Sequence, residues 1–239
     1  MSKTKGEAQA DEYLVIHQER YRVLLQTITD LKLPQGAKIL DVGCYPLHIF
    51  NELKSQGFDM FGIASAHEKV DQDQIVVANI ETDKLPFSKD TFDVIIFTEV
   101  LEHMTANPDH YMKEFHRVLN SGGTLIITTP NSVNLKNRLK LLFGKSIYFP
   151  LFQLYETTPD NGFMYHRHTR EFTLDELKEV ATRTGFKLHT AKQYSAYTPF
   201  RAERAKQQGL LERFTKLLGY FITQLHSPLK DSLLVVAQK

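Results

Sequence analysis

The sequence contains a single cysteine and almost no excess of charge of either sign. Because Cys44 is alone, an internal disulfide and a metal site built from several thiolates are excluded. With 29 basic and 28 acidic residues the net charge is +1, so no overall charge draws the chain to nucleic acid or to an acidic membrane. No stretch approaches the roughly 20 apolar residues that span a bilayer, and the amino terminus lacks the apolar core of a signal peptide. We therefore expect a cytoplasmic protein with no nucleic-acid partner.

Hydrophobic residues make up 42% of the 239 residues and charged residues 24%, which is sufficient for one large α/β domain. Two short runs of β-branched and aromatic residues, at 38–42 and 92–97, end in polar or helical sequence. Such runs are typical of buried parallel strands. Because the carboxyl ends of parallel strands open onto one crevice, ligand-binding residues are expected there.

Strand and helix patterns alternate along the chain, as in βαβ units. Strands are predicted at residues 38–42, 59–64, 74–78, 92–97, 124–129, 186–191 and 232–237. Helices are predicted at residues 11–31, 46–56, 107–119, 135–143, 173–185 and 204–225. Gly122 and Gly123 are expected to end the third helix, and Thr173 with Glu176 forms a capping box at the start of the fifth.

We expect residues 1–10 to form a disordered tail and residues 11–239 to form a single domain. Within this domain, residues 131–170 contain one predicted helix followed by an irregular aromatic segment. A stretch of that length between sheet elements is typical of a lid or a substrate-binding loop. Its candidate substrate contacts are Tyr148, Tyr165, His166 and His168.

The first strand leads into a turn, Asp41-Val42-Gly43-Cys44-Tyr45, that contains one glycine. A tight turn that brings backbone amides close to a ligand needs glycine for its positive φ and its lack of a side chain. The phosphate-binding pattern G-x-G-x-x-G is absent, which argues against NAD, FAD and ATP.

A longer set of motifs resembles the class I S-adenosylmethionine-dependent methyltransferases, of the kind called type 11 or type 23, with a degenerate glycine motif. The matching segments are residues 40–44, 85–87, 92–94, 99–103, 116–119, 122–123 and 129–131. Later segments at 137–139, 170–173 and 185–186 are similar to a branch often linked to sugar, lipid or cell-envelope substrates. The resemblance implies an α/β, Rossmann-like fold with a seven-stranded, mostly parallel sheet, flanking helices and a lid insertion after the fifth strand.

The resemblance also implies a site for S-adenosylmethionine. Gly43 would approach the amino-acid part of the cofactor, and Asp41 would hold the turn or the cofactor's ammonium group. The remaining implied contacts are Cys44 and Tyr45 in the same turn, Ala64 and Ser65 after the second strand, Asn79 and Ile80 after the third, and Thr98 and Glu99 after the fourth.

This site departs from the family pattern at three positions. Ala64 stands where the family has a carboxylate for the ribose hydroxyls, and an alanine cannot accept a hydrogen bond that is worth roughly 1.5 to 3 kcal/mol. Tyr45 and Leu47 replace two further glycines of the turn. Ser65 and Glu68 are the candidate substitutes for the missing ribose acceptor.

Methyl transfer requires alignment of a nucleophile with the activated methyl group and, for a hydroxyl, removal of its proton. His103 is the first candidate base because it follows the fourth strand and imidazole titrates near neutral pH. Glu99 and Glu102 compete for this role, and His166 and His168 could reach the site from the lid. No metal is expected, since two histidines spaced by two without a neighbouring acidic ligand form a weak pattern.

The expected function is methyl transfer to an oxygen or nitrogen atom of a small-molecule, glycan or lipid-linked acceptor. The alternative is a non-catalytic methyltransferase-like protein that binds a partner, which the altered turn and Ala64 favour. The apolar stripe of the helix at 204–225 is typical of packing on the sheet or on a partner subunit. A basic amphipathic helix can also lie on a membrane surface.

Overall fold

The computed structural model describes residues 5–65, 73–148, 168–196 and 210–239. Its strands are β1 (Lys38–Val42), β2 (Asp59–Ala64), β3 (Ile75–Val77), β4 (Phe92–Thr98), β5 (Leu119–Pro130), β6 (Lys187–Tyr194) and β7 (Ser232–Gln238). Its helices are α1 (Lys5–Asp30), α2 (His48–Ser55), α3 (Asp109–Val118), α4 (Leu135–Leu142), α5 (Leu174–Thr182) and α6 (Leu210–Leu225). Two 3₁₀ turns lie at Leu101–His103 and Ser227–Leu229.

These strands form one seven-stranded sheet in the order β3-β2-β1-β4-β5-β7-β6. The first five strands are parallel, and β7 runs antiparallel between β5 and β6. Val42 pairs with Phe97, and Thr98 pairs with Thr128, so β1, β4 and β5 end at the same edge. The arrangement confirms the predicted fold class.

Alternation along the strands divides the core into two layers, because successive side chains point to opposite faces. Ile39 and Ile96 belong to the layer that α1 and α2 cover, whereas Leu40 and Phe97 belong to the layer beneath α3 and α5. Neighbouring residues of a strand are therefore buried on opposite faces of the sheet, one under α1 and α2 and the next under α3 and α5. Asp41 lies on the α1 side, in the same alternation as Ile39.

Three element boundaries differ from the sequence-based predictions. The prediction that Gly122 and Gly123 end α3 is wrong, because α3 already ends at Val118. Gly122, with φ 77°, lies within β5, where the pairing of β5 with β4 is irregular. The first helix begins at Lys5, ahead of the predicted start at residue 11. The second begins at His48, because Leu47 before it adopts a left-handed backbone conformation with φ 60°.

The expected capping box is confirmed, since Glu176 N donates to Thr173 Oγ1 and Thr173 N donates to Glu176 Oε2. This cap fixes the start of α5 directly after the segment that contains His168. In the proposed lid, residues 149–167 lie outside the described residues, and Tyr165 and His166 are among them.

The apolar stripe on α6 does not pack as expected. Its exposed members are Leu218, Phe221, Ile222 and Leu225. The expectation that this stripe packs on the sheet is therefore wrong for these four side chains. Among the residues that the structure describes, no helix is long and apolar enough to cross a membrane.

Candidate active site

The ends of β1 and β4 surround a small cavity of about 60 Å³. Its predicted residues are Asp41, Gly43, Cys44, Tyr45, Thr98 and Glu99. Arg20 and Tyr21 of α1 also line it. The structure thus brings together the predicted amino-acid end of the cofactor site, and it adds a wall from α1 that the sequence analysis did not anticipate.

Gly43 holds the turn after β1 close to the chain that follows β4. Its φ is 78°, and a Cβ at this position would overlap Val100. The amides of Gly43 and Cys44 both donate to the carbonyl oxygen of Ile63, at 2.9 and 3.2 Å. A glycine is therefore required here both for the backbone conformation and for the close approach.

Asp41 is 4% exposed at the floor of this cavity. Burial raises the pKa of its carboxyl group to about 7, because the charged form loses its hydration. The carboxyl is thus neutral in acid and ionises near physiological pH. A cationic group bound beside it would favour the ionised form.

Glu99 closes the cavity through an ion pair with α1. Its carboxylate lies 2.9 Å from the Arg20 guanidinium and accepts a hydrogen bond of 3.0 Å from Thr128. Its backbone is in the left-handed region, at φ 56°, which is uncommon for a residue other than glycine. Arg20 was missed because an arginine within an amphipathic helix gives no local signal of a role in binding.

A second group of side chains, the Glu102–His103–His168 cluster, lies after β4. Glu102 is 1% exposed and accepts a hydrogen bond of 2.9 Å from Thr129. Burial, with a smaller contribution from the charge of Glu99, raises the pKa of Glu102 to about 8. His103 Nε2 lies 4.0 Å from Glu102 Oε1, and the His103 and His168 rings meet edge to face with centroids 5.0 Å apart.

Backbone hydrogen bonds bring His168 to this cluster from a distant part of the chain. The amides of Thr169 and Arg170 donate to the Glu102 carbonyl oxygen, at 2.7 and 3.2 Å. His168 Nδ1 lies 3.1 Å from Glu171 Oε1. Burial by itself would lower the pKa of His168, but the hydrogen bond to Glu171 and the nearby carboxyl groups outweigh it and raise the pKa.

The cluster could hold a metal ion, because Glu102, His103 and His168 each offer one ligand atom and these atoms lie within 4.8 Å of one another. The sequence predicts no metal, because His166 and His168 have no cysteine or acidic ligand set beside them. The structure supplies Glu102 from the turn after β4. A carboxylate with two imidazoles is a ligand set that suits a divalent transition metal.

A groove of about 1080 Å³ lies between α4 and α6. Tyr148 and His168, two of the predicted substrate contacts, line it together with Glu171 and Tyr220. Arg20 lines both the groove and the small cavity, so the two spaces meet at its side chain. His103 is not among the residues that line either space; its ring contacts that of His168.

The residues predicted to contact ribose and adenine offer fewer hydrogen-bonding groups than those at the amino-acid end. Ala64 is buried and offers no acceptor. The side-chain oxygen of Asn79 accepts a hydrogen bond of 3.1 Å from the amide of Glu81, so it stabilises a turn. Ile80 is 7% exposed, and residues 66–72, which follow Ser65, lie outside the described residues.

The cavity suits the amino-acid end of S-adenosylmethionine, which carries an ammonium and a carboxylate group. Arg20 supplies a positive charge, and Glu99 with Asp41 supplies the opposite charge, at the walls of one cavity. Charges of both signs in a confined site match a zwitterion. The donor set therefore fits this part of the cofactor, whereas Ala64 leaves the ribose end without the acceptor expected there.

A family model described as a methyltransferase domain matches residues 15–191. A mitochondrial ubiquinone biosynthesis O-methyltransferase from Rattus norvegicus is 31% identical over 126 residues, which cover 47% of this chain and 36% of that protein. A probable S-adenosylmethionine-dependent methyltransferase from Mycolicibacterium smegmatis is 25% identical over 158 residues, covering 64% and 53%. The match thus spans between about a third and a half of the length of these relatives.

Solved structures show the same fold at low sequence identity. A putative methyltransferase from Haloferax volcanii, in complex with the Trm112 methyltransferase activator, has a TM-score of 0.61 and 15% identity, covering 100% of this chain and 99% of that one. A possible histamine N-methyltransferase from Thermotoga maritima has a TM-score of 0.56 and 17% identity, covering 97% and 95%.

Replacing the buried carboxyl of Asp41 should change how stability depends on pH. The folded chain keeps Asp41 protonated up to about pH 7, whereas an unfolded chain ionises it above 3.8. The free energy of unfolding therefore falls as pH rises between these values, and the loss persists above them. We expect Asp41→Asn to match the wild type near pH 4 and to exceed it by on the order of 2 to 4 kcal/mol above pH 7.

Urea unfolding at the two pH values measures this difference. Asp175→Asn is the matched control, because the Asp175 side chain is 92% exposed and its replacement removes no buried charge. Equal destabilisation of Asp41→Asn at both pH values would contradict the assignment of a buried, protonated carboxyl.

Proposed function

Because the chain belongs to the class I S-adenosylmethionine-dependent methyltransferase family, we propose that it transfers a methyl group from S-adenosylmethionine to an oxygen or nitrogen atom of a small-molecule, glycan or lipid-linked acceptor. The product of the cofactor would be S-adenosylhomocysteine. The sulfonium group is already activated, so the main task of the protein is to align the acceptor with the methyl group.

The observation that carries this proposal is the meeting of two spaces at Arg20. The small cavity matches the charges of the cofactor's amino-acid end, and the adjoining groove is large enough for an acceptor. Two binding spaces that share a wall are what a transfer between two bound molecules requires. The ubiquinone biosynthesis O-methyltransferases among the relatives favour an oxygen acceptor.

We propose His103 as the base that removes a proton from an acceptor hydroxyl. Its ring meets that of His168 edge to face, and His168 lines the groove, so an acceptor hydroxyl bound there would lie near this imidazole pair. Glu99 and Glu102 suit the role less well. Glu99 is already paired with Arg20, and the raised pKa of Glu102 keeps its carboxyl protonated near neutral pH.

A specific observation favours a second role for the same side chains. The three convergent ligand atoms of Glu102, His103 and His168 would let a divalent cation lower the pKa of an acceptor hydroxyl, without an imidazole base.

The alternative class of function is a non-catalytic binding protein. Tyr45 and Leu47 place side chains where the family has glycine, and Ala64 removes a ribose contact. Leu47 nevertheless adopts the positive φ that glycine would adopt, so the turn keeps its backbone course. This feature supports retention of the cofactor site.

Calorimetric titration with S-adenosylmethionine separates the enzyme from the binding protein. We expect a dissociation constant in the micromolar range, about −8 kcal/mol. Arg20→Gln should weaken binding by about tenfold or more, since it removes a charge-assisted hydrogen bond to the cofactor's carboxylate. Arg22→Gln, at an exposed position of the same helix, is the matched control and should bind as the wild type does. An absence of binding at millimolar cofactor would support the binding-protein alternative.

The substitution Glu102→Gln separates the two ways of activating an acceptor. If His103 is the base, Glu102→Gln should keep the methylation rate within about threefold, because the carboxyl is already uncharged near neutral pH. His103→Ala should lower the rate by about 100-fold or more. The measurement is transfer of labelled methyl groups to a panel of phenolic and hydroxylated acceptors, with and without a chelator.

A metal site would give the opposite result. Glu102→Gln would then abolish both activity and the binding of Mn²⁺, followed by electron paramagnetic resonance, and the chelator would stop the wild-type enzyme. That outcome would overturn the assignment of His103 as the base.

A further inference from the structure

The two helices beside the groove expose large apolar side chains to solvent. From α4 and the turn after it these are Leu139, Leu141, Leu142, Phe143 and Tyr148, and from α6 they are Leu218, Phe221, Ile222 and Leu225; we refer to this set as the α4–α6 surface. Leu142 is 75% exposed, Phe143 73% and Leu225 88%. Soluble proteins rarely expose so many large apolar side chains on neighbouring elements unless the surface binds something.

The α4 and α6 helices that carry these side chains are neighbours. A Cβ added to Gly219 in α6 would lie 3.8 Å from Leu135 Cδ2 in α4. Residues of both helices line the groove, among them Leu139 and Tyr220. Leu139, Phe143 and Tyr148 of the exposed set line this groove. The exposed apolar side chains of α6 lie on the opposite face of that helix, because the α6 residues that line the groove are Lys216, Gly219, Tyr220 and Thr223.

The α4 side of this region carries only basic charge, although the chain as a whole is nearly neutral and the acidic residues Glu171 and Asp231 line the groove beside it. Residues 131–148 contain Lys136, Arg138, Lys140 and Lys145, and no Asp or Glu occurs from residue 115 to residue 155. Lys216 of α6 lines the groove opposite them. Lysine and arginine beside exposed leucine and phenylalanine are the composition of an interfacial membrane-binding element.

We propose that the α4–α6 surface docks on a membrane that carries anionic lipid headgroups. Leucine and phenylalanine side chains would enter the boundary between headgroups and acyl chains, and the basic side chains would contact phosphate oxygens. The contact is peripheral, since none of the helices described is long and apolar enough to span the bilayer.

Charge argues against a second copy of this chain as the occupant. In a twofold dimer the same surface faces itself, so the basic side chains of one copy would oppose those of the other. The acidic side chains near them, Glu171 and Asp231, line the groove and are held there by His168 and by the amide of Ala196, so they compensate little of this charge. An anionic bilayer supplies the missing negative charge, and it also covers the apolar side chains.

Docking would bring the α4 side of the groove mouth to the bilayer, because Leu139, Phe143 and Tyr148 belong both to this surface and to the lining of the groove. An acceptor with an apolar chain and a hydroxylated or anionic head could then enter the groove without crossing water. This acceptor class rests on the proposed function, whereas the docking itself does not.

Vesicle co-sedimentation tests the docking directly, with full-length protein and vesicles of phosphatidylcholine alone or with phosphatidylglycerol. We expect the bound fraction to be about tenfold higher with phosphatidylglycerol at low salt, and to fall at high salt because screening weakens the contacts of the basic residues. Binding to neither kind of vesicle would overturn the proposal.

Substitutions separate the apolar and the charged contributions. The double variant Leu142→Ser, Phe143→Ser should lose most of the binding, and so should Lys136→Gln, Lys145→Gln. The control Val77→Ser removes an apolar side chain that is 53% exposed on β3, at the opposite end of the sheet, and should bind as the wild type does. Equal binding by the wild type and the Leu142, Phe143 variant would overturn the proposal.

Two further measurements distinguish a loss of membrane docking from a loss of folding, of cofactor binding or of dimer formation. Circular dichroism and titration with S-adenosylmethionine should be unchanged in the double variants, so a failure of the proposed function would be seen separately from a failure of docking. Sedimentation velocity without lipid should show a monomer. A dimer that is lost in the Leu142, Phe143 variant would assign the surface to a second copy and overturn the membrane proposal.

Discussion

The parallel pairing of β1, β4 and β5 is the constraint on which the rest of the structure depends. Its register sets Val42 beside Phe97 and Thr98 beside Thr128, so the chain leaves all three strands at one edge of the sheet. The turn at Gly43, the carboxylate of Glu99 and the Glu102–His103–His168 cluster all follow from this register. Because backbone hydrogen bonds hold the register, a cofactor and an acceptor can meet at positions that the core determines.

Two buried carboxyl groups, Asp41 and Glu102, lie at this edge of the sheet, and their burial lowers the stability of the fold. Burial raises the pKa of both, which means that each ionised form is disfavoured by the apolar surroundings. A structure selected only for stability would replace them with apolar side chains. Strongly shifted pKa values are concentrated at functional sites, so these two residues are consistent with a site that binds charged groups.

The two proposed binding spaces differ in their exposure to solvent: the small cavity is enclosed, and the groove is open. Over the small cavity, α1 is held by the ion pair between Arg20 and Glu99, so that space is confined. Over the groove, α4 and α6 keep apolar side chains in solvent and basic side chains nearby. Confinement suits a small charged cofactor, and an open apolar mouth suits an amphipathic acceptor. The distribution of side chains thus agrees with two bound molecules of different chemistry.

The sequence by itself determined the seven strands, the turn at Gly43 and the cap at Thr173, because these depend on periodicity and on neighbours a few residues away. It was wrong about Gly122, because the pairing of Leu119 with Phe92 of β4 begins the strand before the glycines. Only the tertiary structure decided that Arg20 meets Glu99 and that His168 meets Glu102. Such contacts join distant parts of the chain, and their partners are set by the packing of helices on the sheet, which no local pattern records.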